Sequence, residues 1–464
     1  MNCGGTMKKI LFRSISLLCQ AAVIFFLAAC GDDASSSTSA EGESSAVVDE
    51  ESSSSSVTSS KKISSSSVAK ESSSETESSS SENVSSSSLV SSSSVDSSKY
   101  LLPEDSLYFS TTVVEDTLEI FTFGSVIFNI AADSFLTKFD YGDFVTVMIP
   151  GYDTLDVPVV ASYSDVFPGE FFLYVSSGLN YIKLEARYGQ MAEIVGFGRD
   201  ITFPIDVTIR IQKRGGYIDH LKNLRSLSIS YYVEAYPDLS IEDFANFRMV
   251  KTTGMGEGAL YRSSNPLDPS IGRNKYADSL SRVAGVKTFL NLTDNEANVE
   301  LYNGYAESYY ASQNVVYLDV QPAFANSPFK IGLVKGLRYM IEHEGPYLVH
   351  CTYGMDRTGY TIAVLEALMG ATAEEIKADY VKTHQNFFTV IKDNQVALTS
   401  TQVELIQAVI VRLMQNAYKV EGVDISDFEN VDLAAATESY LLSLGLESSE
   451  IEALKNRLRE TCCN

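Results

Sequence analysis

Short apolar runs rich in β-branched and aromatic residues alternate with Gly, Asp and Pro over residues 107–211. Examples are TLEIFTFGSVIFNI, DFVTVMIPG, DVPVVASY and EFFLYV. Runs of this length between turn residues are typical of a mainly β sandwich or a small barrel. We find no metal, nucleophile or phosphate-binding pattern in this part of the sequence. We therefore interpret residues 100–225 as a smaller, mainly β accessory domain of unknown role.

The pattern changes from about Asp238 to apolar strands that alternate with helices. Three apolar segments predict buried strands: VKTFLNL (286–292), VVYLDV (315–320) and YLVHC (347–351). Ser327 as N-cap and Pro328 at the first helical position predict a helix that ends near Glu344 and connects two neighbouring strands. A β-helix-β connection indicates a parallel sheet. The predicted fold class of residues 226–464 is therefore α/β, a parallel sheet with flanking helices.

Helical patterns continue to the end of the chain. Thr372 and Glu375 form a capping box that predicts the start of the helix AEEIKADYVKTHQN. Helical periodicity is also present around residues 401–418, 427–443 and 449–460.

The N-terminal pattern is that of an export signal. Lys8, Lys9 and Arg13 precede an apolar run that is too short for a comfortable membrane span. The run ends in Leu-Ala-Ala-Cys30, which resembles the lipobox of bacterial lipoproteins. The resemblance implies a signal peptide over residues 1–29, lipidation of Cys30 by palmitate-like chains, and a lipid-anchored protein of the bacterial cell envelope. The membrane is thus an expected partner.

Residues 30–99 comprise Cys30 and a Ser-rich segment, with 34 Ser among residues 35–99. Such a composition buries too little apolar surface to fold, so we predict a disordered linker. The chain has a net charge of -25 and no basic tract, which argues against nucleic acid as a partner. The six Cys are few and scattered, so a disulfide scaffold is excluded. Cys462 and Cys463 either pair with another molecule or lie in a frayed tail.

The chemically informative stretch is YLVHCTYGMDRTGYTIAVLEALMG, in which a strand ends at His350-Cys351 and a helix begins near Arg357. The backbone N–H groups of the intervening residues form a concave nest for a phosphate dianion at the helix N-terminus. These phosphate-binding residues are Thr352, Tyr353, Gly354, Met355 and Asp356.

The side chains of the same stretch suit nucleophilic chemistry. Arg357 can hold two phosphate oxygens with its fork of N–H groups. The same positive field favours the thiolate of Cys351, which is then a nucleophile in line with the ester oxygen. Thr358 can donate to the sulfur and help it leave, and we interpret His350 as a residue that orients the loop.

HCTYGMDRTG fits the His-Cys-x5-Arg-Ser/Thr signature of the cysteine-dependent protein tyrosine and dual-specificity phosphatases. FANFRMV, LYRSSNP, GVKTFLNLTDNE and LEALMGATAEEIKADY also look like the bacterial branch of that superfamily, so that the resemblance covers about residues 240–390. It implies a phosphoric monoester hydrolase that works through a phosphocysteine intermediate, with no cofactor and no metal. His220, His343 and His384 show no metal-ligand spacing either.

A general acid is needed to protonate the leaving oxygen. In the resembled superfamily it commonly lies roughly thirty residues before the nucleophile, which favours Asp319. Asp294, just after the strand at 286–292, is the alternative acid. Asp356 is a third candidate, and we interpret it as a loop-shaping acceptor. Arg262 either contacts substrate or, more commonly for such an arginine, braces the loop through an ion pair.

The substrate is expected to be a phosphorylated protein or a small phosphoester. Arg357 is the loop's only cation, and Met355 and Tyr353 would make an apolar rim suited to phosphotyrosine. The alternatives are an inositol-phosphate or phosphoinositide phosphatase, and a non-catalytic phosphate-binding envelope lipoprotein.

Overall fold

The computed structural model describes residues 107–388 and 397–461, together with the backbone of two short strands between them. The predicted signal peptide, Cys30, the Ser-rich linker, Cys462 and Cys463 lie outside the described residues. The predictions made for them, and the domain boundary between residues 225 and 226, stay predictions.

The N-terminal part of the described chain is a nearly closed β-sheet. Its strands are β1 (Tyr108–Thr112), β2 (Val126–Phe128), β3 (Phe144–Met148), β4 (Leu155–Val160), β5 (Phe171–Tyr174), β6 (Ile182–Ala186) and β7 (Asp206–Lys213). They pair in the order β1-β7-β3-β4-β5-β6-β2, antiparallel except for β4 with β5. A bridge between Val113 and Phe128 connects the two ends of the sheet. The inner face holds an apolar core, so of the two predicted β architectures the barrel is the better description.

The second sheet comprises β8 (Arg248–Met249), β9 (Leu260–Ser263), β10 (Thr288–Asn291), β11 (Asn314–Tyr317) and β12 (Tyr347–His350). Its order is β11-β10-β12-β9-β8, in which β8 alone is antiparallel to its neighbour. The predicted mixed α/β fold is therefore confirmed. Two-residue strands β13 (Val390–Ile391) and β14 (Asn394–Gln395) form a separate pair.

The α-helices, in chain order, are α1 (Ala132–Phe135), α2 (Met191–Val195), α3 (Ile218–Arg225), α4 (Ile241–Phe244), α5 (Asn274–Val283), α6 (Glu296–Val299), α7 (Ser327–Glu342), α8 (Asp356–Met369), α9 (Ala373–Phe387), α10 (Ser400–Val420), α11 (Leu433–Ser443) and α12 (Ser448–Arg459). Thr372 and Glu375 make the predicted capping box of α9. Across the described residues, no helix is both long enough and apolar enough to cross a membrane.

Two details of the predicted β-helix-β unit are wrong. The N-cap of α7 is Asn326, whose side chain accepts from the N–H of Phe329 at 3.0 Å, and Ser327 is already helical. The strands that α7 connects, β11 and β12, are parallel but not neighbours, because β10 lies between them. Since Asn291 of β10 pairs with both Tyr317 and His350, all three strands end at the same edge of the sheet.

Helix α10 connects the two sheets. Its Asn416 donates to the carbonyl of Gly169 at 3.0 Å, beside β5. Phe167 and Tyr188 of the N-terminal part pack with the apolar cluster of the second sheet, and Val420 at the end of α10 packs against the barrel core. The two sheets therefore share packed side chains.

Candidate active site

The 351–357 loop follows β12 at the carboxyl edge of the parallel strands and leads into α8. Its carbonyl groups are bound by the surrounding scaffold. The N–H of Asn265 donates to the Thr352 carbonyl at 3.1 Å. The Asn246 amide donates to the carbonyls of Tyr353 and Gly354 at 3.2 and 3.3 Å. These bonds turn the acceptors of the loop outward.

The N–H groups of the loop are left without such partners. Within the described part of the chain, none of the backbone N–H groups of residues 352–355 donates a hydrogen bond to another residue. Unpaired N–H groups that precede a helix N-terminus form an anion-binding concavity. The loop therefore has the backbone geometry that a phosphate site needs.

Gly354 makes this tight loop possible. Its φ is 66°, and a Cβ there would lie 2.2 Å from the carbonyl oxygen of Ser263 in β9. Only glycine allows both the left-handed conformation and this close approach without displacing the neighbouring strand.

A buried ionic network supports the loop from behind. Arg262 is fully buried, donates to the Gly354 carbonyl at 2.9 Å and pairs with Asp379 of α9. Arg248 also binds the Asp379 carboxylate, at 2.7 Å. Although burial acts to raise it, the pKa of Asp379 is lowered by Arg248 and Arg262, so this carboxylate stays ionised. Arg262 thus braces the loop.

Sequence reasoning missed most of this support. Asn246, Arg248 and Asp379 lie in stretches that resemble the phosphatase superfamily, FANFRMV and LEALMGATAEEIKADY, but no role was predicted for these three residues. Asn246 has a φ of 52°, a conformation that a single sequence does not reveal.

Arg357 keeps its charge available for a ligand. Its guanidinium donates to the Val320 carbonyl at 3.1 Å and contacts the Thr352 hydroxyl at 3.4 Å. Among the described residues no carboxylate lies within 4.0 Å of it, in contrast to Arg248 and Arg262. Cys351, at the base of the loop, is a free cysteine and is 3% exposed.

His350 and Thr358 flank this pair and are both buried. Burial lowers the pKa of His350 to about 3, and the Arg357 guanidinium acts in the same direction. Its Nε2 lies 3.1 Å from the Tyr310 hydroxyl. A neutral, buried imidazole fits the orienting role better than that of a base. The Thr358 hydroxyl has no hydrogen-bond partner among the described residues, so its expected bond to the Cys351 sulfur is not formed here.

The three candidate acids lie in different surroundings. Asp319 is exposed, has a φ of 45° and accepts from the Asn295 amide at 3.1 Å. Asp319 follows β11, and Cys351 follows β12, which lies two strands away. At the usual strand spacing β11 and β12 are about 10 Å apart. A non-glycine residue held in this conformation is common at functional sites.

Asp294 is 5% exposed, and its carboxylate accepts three side-chain hydrogen bonds. Their donors are Asn265 at 2.9 Å, Asn291 at 3.1 Å and Tyr302 at 3.0 Å. A carboxylate bound in this way is positioned as an acceptor. Burial raises the pKa of Asp356, against the opposing effects of Arg187, Arg357 and a hydrogen bond from Tyr380.

The rim of the loop differs from the prediction. Met355 is 8% exposed because it packs with Ile271 and Phe387, so it does not form the rim. Tyr353 is half-buried, and its hydroxyl lies 3.1 Å from that of Tyr231, which is 45% exposed. Of the two residues predicted to form the rim, Tyr353 is partly exposed and Met355 is not, and the neighbour of Tyr353 is Tyr231, from outside the motif.

Residues 329–460 match the model of the tyrosine phosphatase family, a stretch that includes β12, the 351–357 loop and α8 to α12. The resemblance to tyrosine phosphatases is thus confirmed for this stretch. No curated protein matches the chain. Among solved structures, an uncharacterized conserved protein from Thermotoga maritima aligns at 22% identity over 22% of this chain, with a TM-score of 0.18. The aligned part spans 35% of that protein.

Proposed function

We propose that this protein is a cysteine-dependent phosphatase that hydrolyses phosphotyrosine or related phosphomonoesters and needs no metal for the reaction. The observation on which this depends is the 351–357 loop: among the described residues the N–H groups of residues 352–355 have no acceptor, while the carbonyls of residues 352–354 are bound to the scaffold. The family match over residues 329–460 supports the same reaction class.

The first chemical step forms a bond between the Cys351 sulfur and phosphorus and breaks the ester P–O bond. The loop N–H groups and the Arg357 guanidinium stabilise the charge on the non-bridging oxygens. Asp319 donates its proton to the leaving oxygen, so the alcohol or phenol departs neutral.

The second step hydrolyses the phosphocysteine. Water attacks phosphorus and gives its proton to the Asp319 carboxylate, which is thereby restored as the acid. The S–P bond breaks, inorganic phosphate forms and Cys351 leaves as a thiolate. Thr358 directly follows Arg357 in the motif, and its hydroxyl, which has no hydrogen-bond partner among the described residues, would donate to that sulfur.

The rim favours an aryl phosphate. The hydroxyl of Tyr353, in the loop, lies 3.1 Å from that of the exposed Tyr231, and aromatic rings pack well against a phenyl group. The two substrate classes, aryl phosphates and inositol phosphates, are compared directly in the test below.

The test uses the full chain and its Cys351→Ser variant. The wild-type protein should hydrolyse para-nitrophenyl phosphate in the presence of EDTA, and acid quenching should trap phosphate on the protein. Cys351→Ser should bind phosphate but show neither turnover nor trapping. Rates on a phosphotyrosine peptide should exceed those on myo-inositol hexakisphosphate.

Three outcomes would contradict the proposal. Turnover by Cys351→Ser would exclude the phosphocysteine, and loss of wild-type activity in EDTA would indicate metal chemistry. Binding of phosphate without turnover over roughly pH 5 to 8 would identify a non-catalytic phosphate-binding protein.

A further inference from the structure

The turn after β6 brings the N-terminal barrel against the candidate active site. Tyr188 in this turn packs with the apolar cluster of the second sheet, and its ring makes a T-shaped contact with Phe324 at 6.3 Å between centroids. Phe324 in turn stacks on Tyr360 of α8, 4.4 Å away. The barrel therefore touches the segment that contains the candidate acid.

That segment is the 319–324 loop, which runs from Asp319 to Phe324. Near its start, the Val320 carbonyl accepts from Arg357 at 3.1 Å, and the Val320 N–H donates to Leu292 at 3.1 Å. At its end, Phe324 is held between Tyr360 and Tyr188. Asp319 itself is exposed and accepts a hydrogen bond from the Asn295 amide at 3.1 Å, so its position depends on that bond and on how firmly the rest of the loop is held.

The turn at residues 186–189 is itself rigidly supported. The N–H of Arg187 donates to the Glu170 carbonyl at 2.9 Å, and the N–H of Gly169 donates to the Arg187 carbonyl at 2.7 Å. The Arg187 guanidinium also donates to the Val166 carbonyl and lies 5.3 Å from the centre of the Tyr188 ring.

The support extends to α10 through Glu170. The Glu170 carboxylate is buried and accepts from Tyr217 at 2.7 Å, and it lies 3.3 Å from Arg412 of α10. The turn at residues 186–189 is thus linked through Glu170 to α10, a helix that packs beside the second sheet.

Tyr188 has a φ of 63°, a conformation that a tyrosine adopts only when its surroundings impose it. Burial and the Asp356 carboxylate raise the pKa of Tyr188, while Arg187 and Arg357 oppose them. The ring therefore lies within electrostatic reach of the 351–357 loop as well as in contact with Phe324.

We infer that Tyr188 is a positioning residue for the 319–324 loop, so that the barrel supports the candidate active site from outside and helps to hold Asp319 where it can protonate the leaving group. The inference rests on the proposed phosphatase function. Tyr188 acts through Phe324 and does not contact the reacting atoms.

The test compares two substrates that differ in their need for an acid. Phenyl phosphate has a poor leaving group and depends on proton donation, whereas 2,4-dinitrophenyl phosphate has a good one and hardly depends on it. The measured quantity is kcat/KM, because it reports the first step alone and not the later hydrolysis of the phosphocysteine, which is common to both substrates. Tyr188→Ala should lower kcat/KM for phenyl phosphate about tenfold, less than the 10²–10⁴ of complete acid loss, and leave kcat/KM for the dinitrophenyl ester within about twofold. Tyr188→Phe retains the ring and should restore the phenyl phosphate rate.

Tyr152→Ala is the matched control. Tyr152 is a half-buried tyrosine of the same barrel and makes a similar edge contact with Phe197, at 4.8 Å, away from the 319–324 loop. It should leave the ratio of the two rates unchanged. Should Tyr188→Ala not fold, Tyr188→Gly removes the same ring at a φ that suits glycine.

The outcomes separate this inference from the proposed function. If Tyr188→Ala lowers kcat/KM equally for the two esters, or changes neither value, while Cys351→Ser is inactive, Tyr188 does not position the acid and the inference is wrong. If Cys351→Ser retains both activities, the proposed function fails first.

Discussion

Replacing Gly354 by alanine should damage the 351–357 loop far more than the same replacement at Gly422. The two glycines have similar backbone conformations, with φ of 66° and 75°. A non-glycine residue in this conformation costs about 1–2 kcal/mol at either position. At Gly422 a Cβ would meet nothing within 4 Å, whereas at Gly354 it would lie 2.2 Å from the Ser263 oxygen and 2.6 Å from its carbon.

The difference between the two variants isolates this close approach. Real Cβ contacts essentially never fall below 3.0 Å, so the loop and β9 must separate by about 0.8 Å. Overpacking of this kind costs about 1–3 kcal/mol. The free energy of unfolding should therefore fall by about 2–5 kcal/mol in Gly354→Ala and by about 1–2 kcal/mol in Gly422→Ala.

Activity should separate the variants more clearly than stability. A misplacement of about 1 Å in a catalytic site can reduce the rate about 10²-fold, so kcat of Gly354→Ala on para-nitrophenyl phosphate should fall by about that factor. Gly422→Ala should retain the wild-type kcat. Urea unfolding and steady-state kinetics of both variants give the comparison, and equal losses in the two would refute the claim that backbone contact with Ser263 shapes the loop.

The other predictions concern the acid and the buried histidine. Asp319→Asn should lower kcat on a phosphotyrosine peptide by about 10²–10⁴. Asp294→Asn should mainly lower stability, because the Asp294 carboxylate accepts three side-chain hydrogen bonds. A larger kcat loss in Asp294→Asn than in Asp319→Asn would make Asp294 the general acid. Burial lowers the pKa of His350 to about 3, so between about pH 6.5 and pH 3 this histidine is protonated in the unfolded chain and neutral in the folded chain. The stability from His350 is thus present above pH 6.5 and is lost as pH falls toward 3, by about 1.4 kcal/mol per pH unit. His350→Gln should reduce the dependence of the urea unfolding midpoint on pH only in part, because His384, whose pKa is lowered to about 4, acts in the same direction. If the midpoint of His350→Gln changes with pH as steeply as that of the wild type, His350 is not neutral in the folded protein.

Features that depend on neighbouring residues could be predicted from the sequence. The capping box of Thr372 and Glu375 uses groups three residues apart. The strands at β10, β11 and β12 follow from continuous apolar runs, which are typical of strands buried on both faces.

Features that depend on contacts across the chain could not be predicted. The order of the sheet was missed because α7 shows only that β11 and β12 are parallel, and it contains no information on which strand inserts between them. The support of the 351–357 loop by Asn246 and Arg248 joins residues more than a hundred positions apart. Met355 was placed on the rim by its position in the motif, yet an apolar side chain is stabilised by burial, and Phe387 of α9 offers that burial.

The three candidate carboxylates show why spacing in the sequence does not by itself identify the general acid. Asp294, Asp319 and Asp356 lie 57, 32 and 5 positions from Cys351 in the sequence. Their surroundings separate them: Asp294 is occupied as an acceptor, Asp356 is enclosed within the loop, and Asp319 is exposed at the sheet edge. A residue that must give a proton to a leaving group and recover it from water needs access to both, and of the three this condition favours Asp319. Because Asp319 is exposed, its placement depends on the Asn295 amide, on Arg357 at one end of the 319–324 loop and, by our inference, on Tyr188 and Tyr360 at the other.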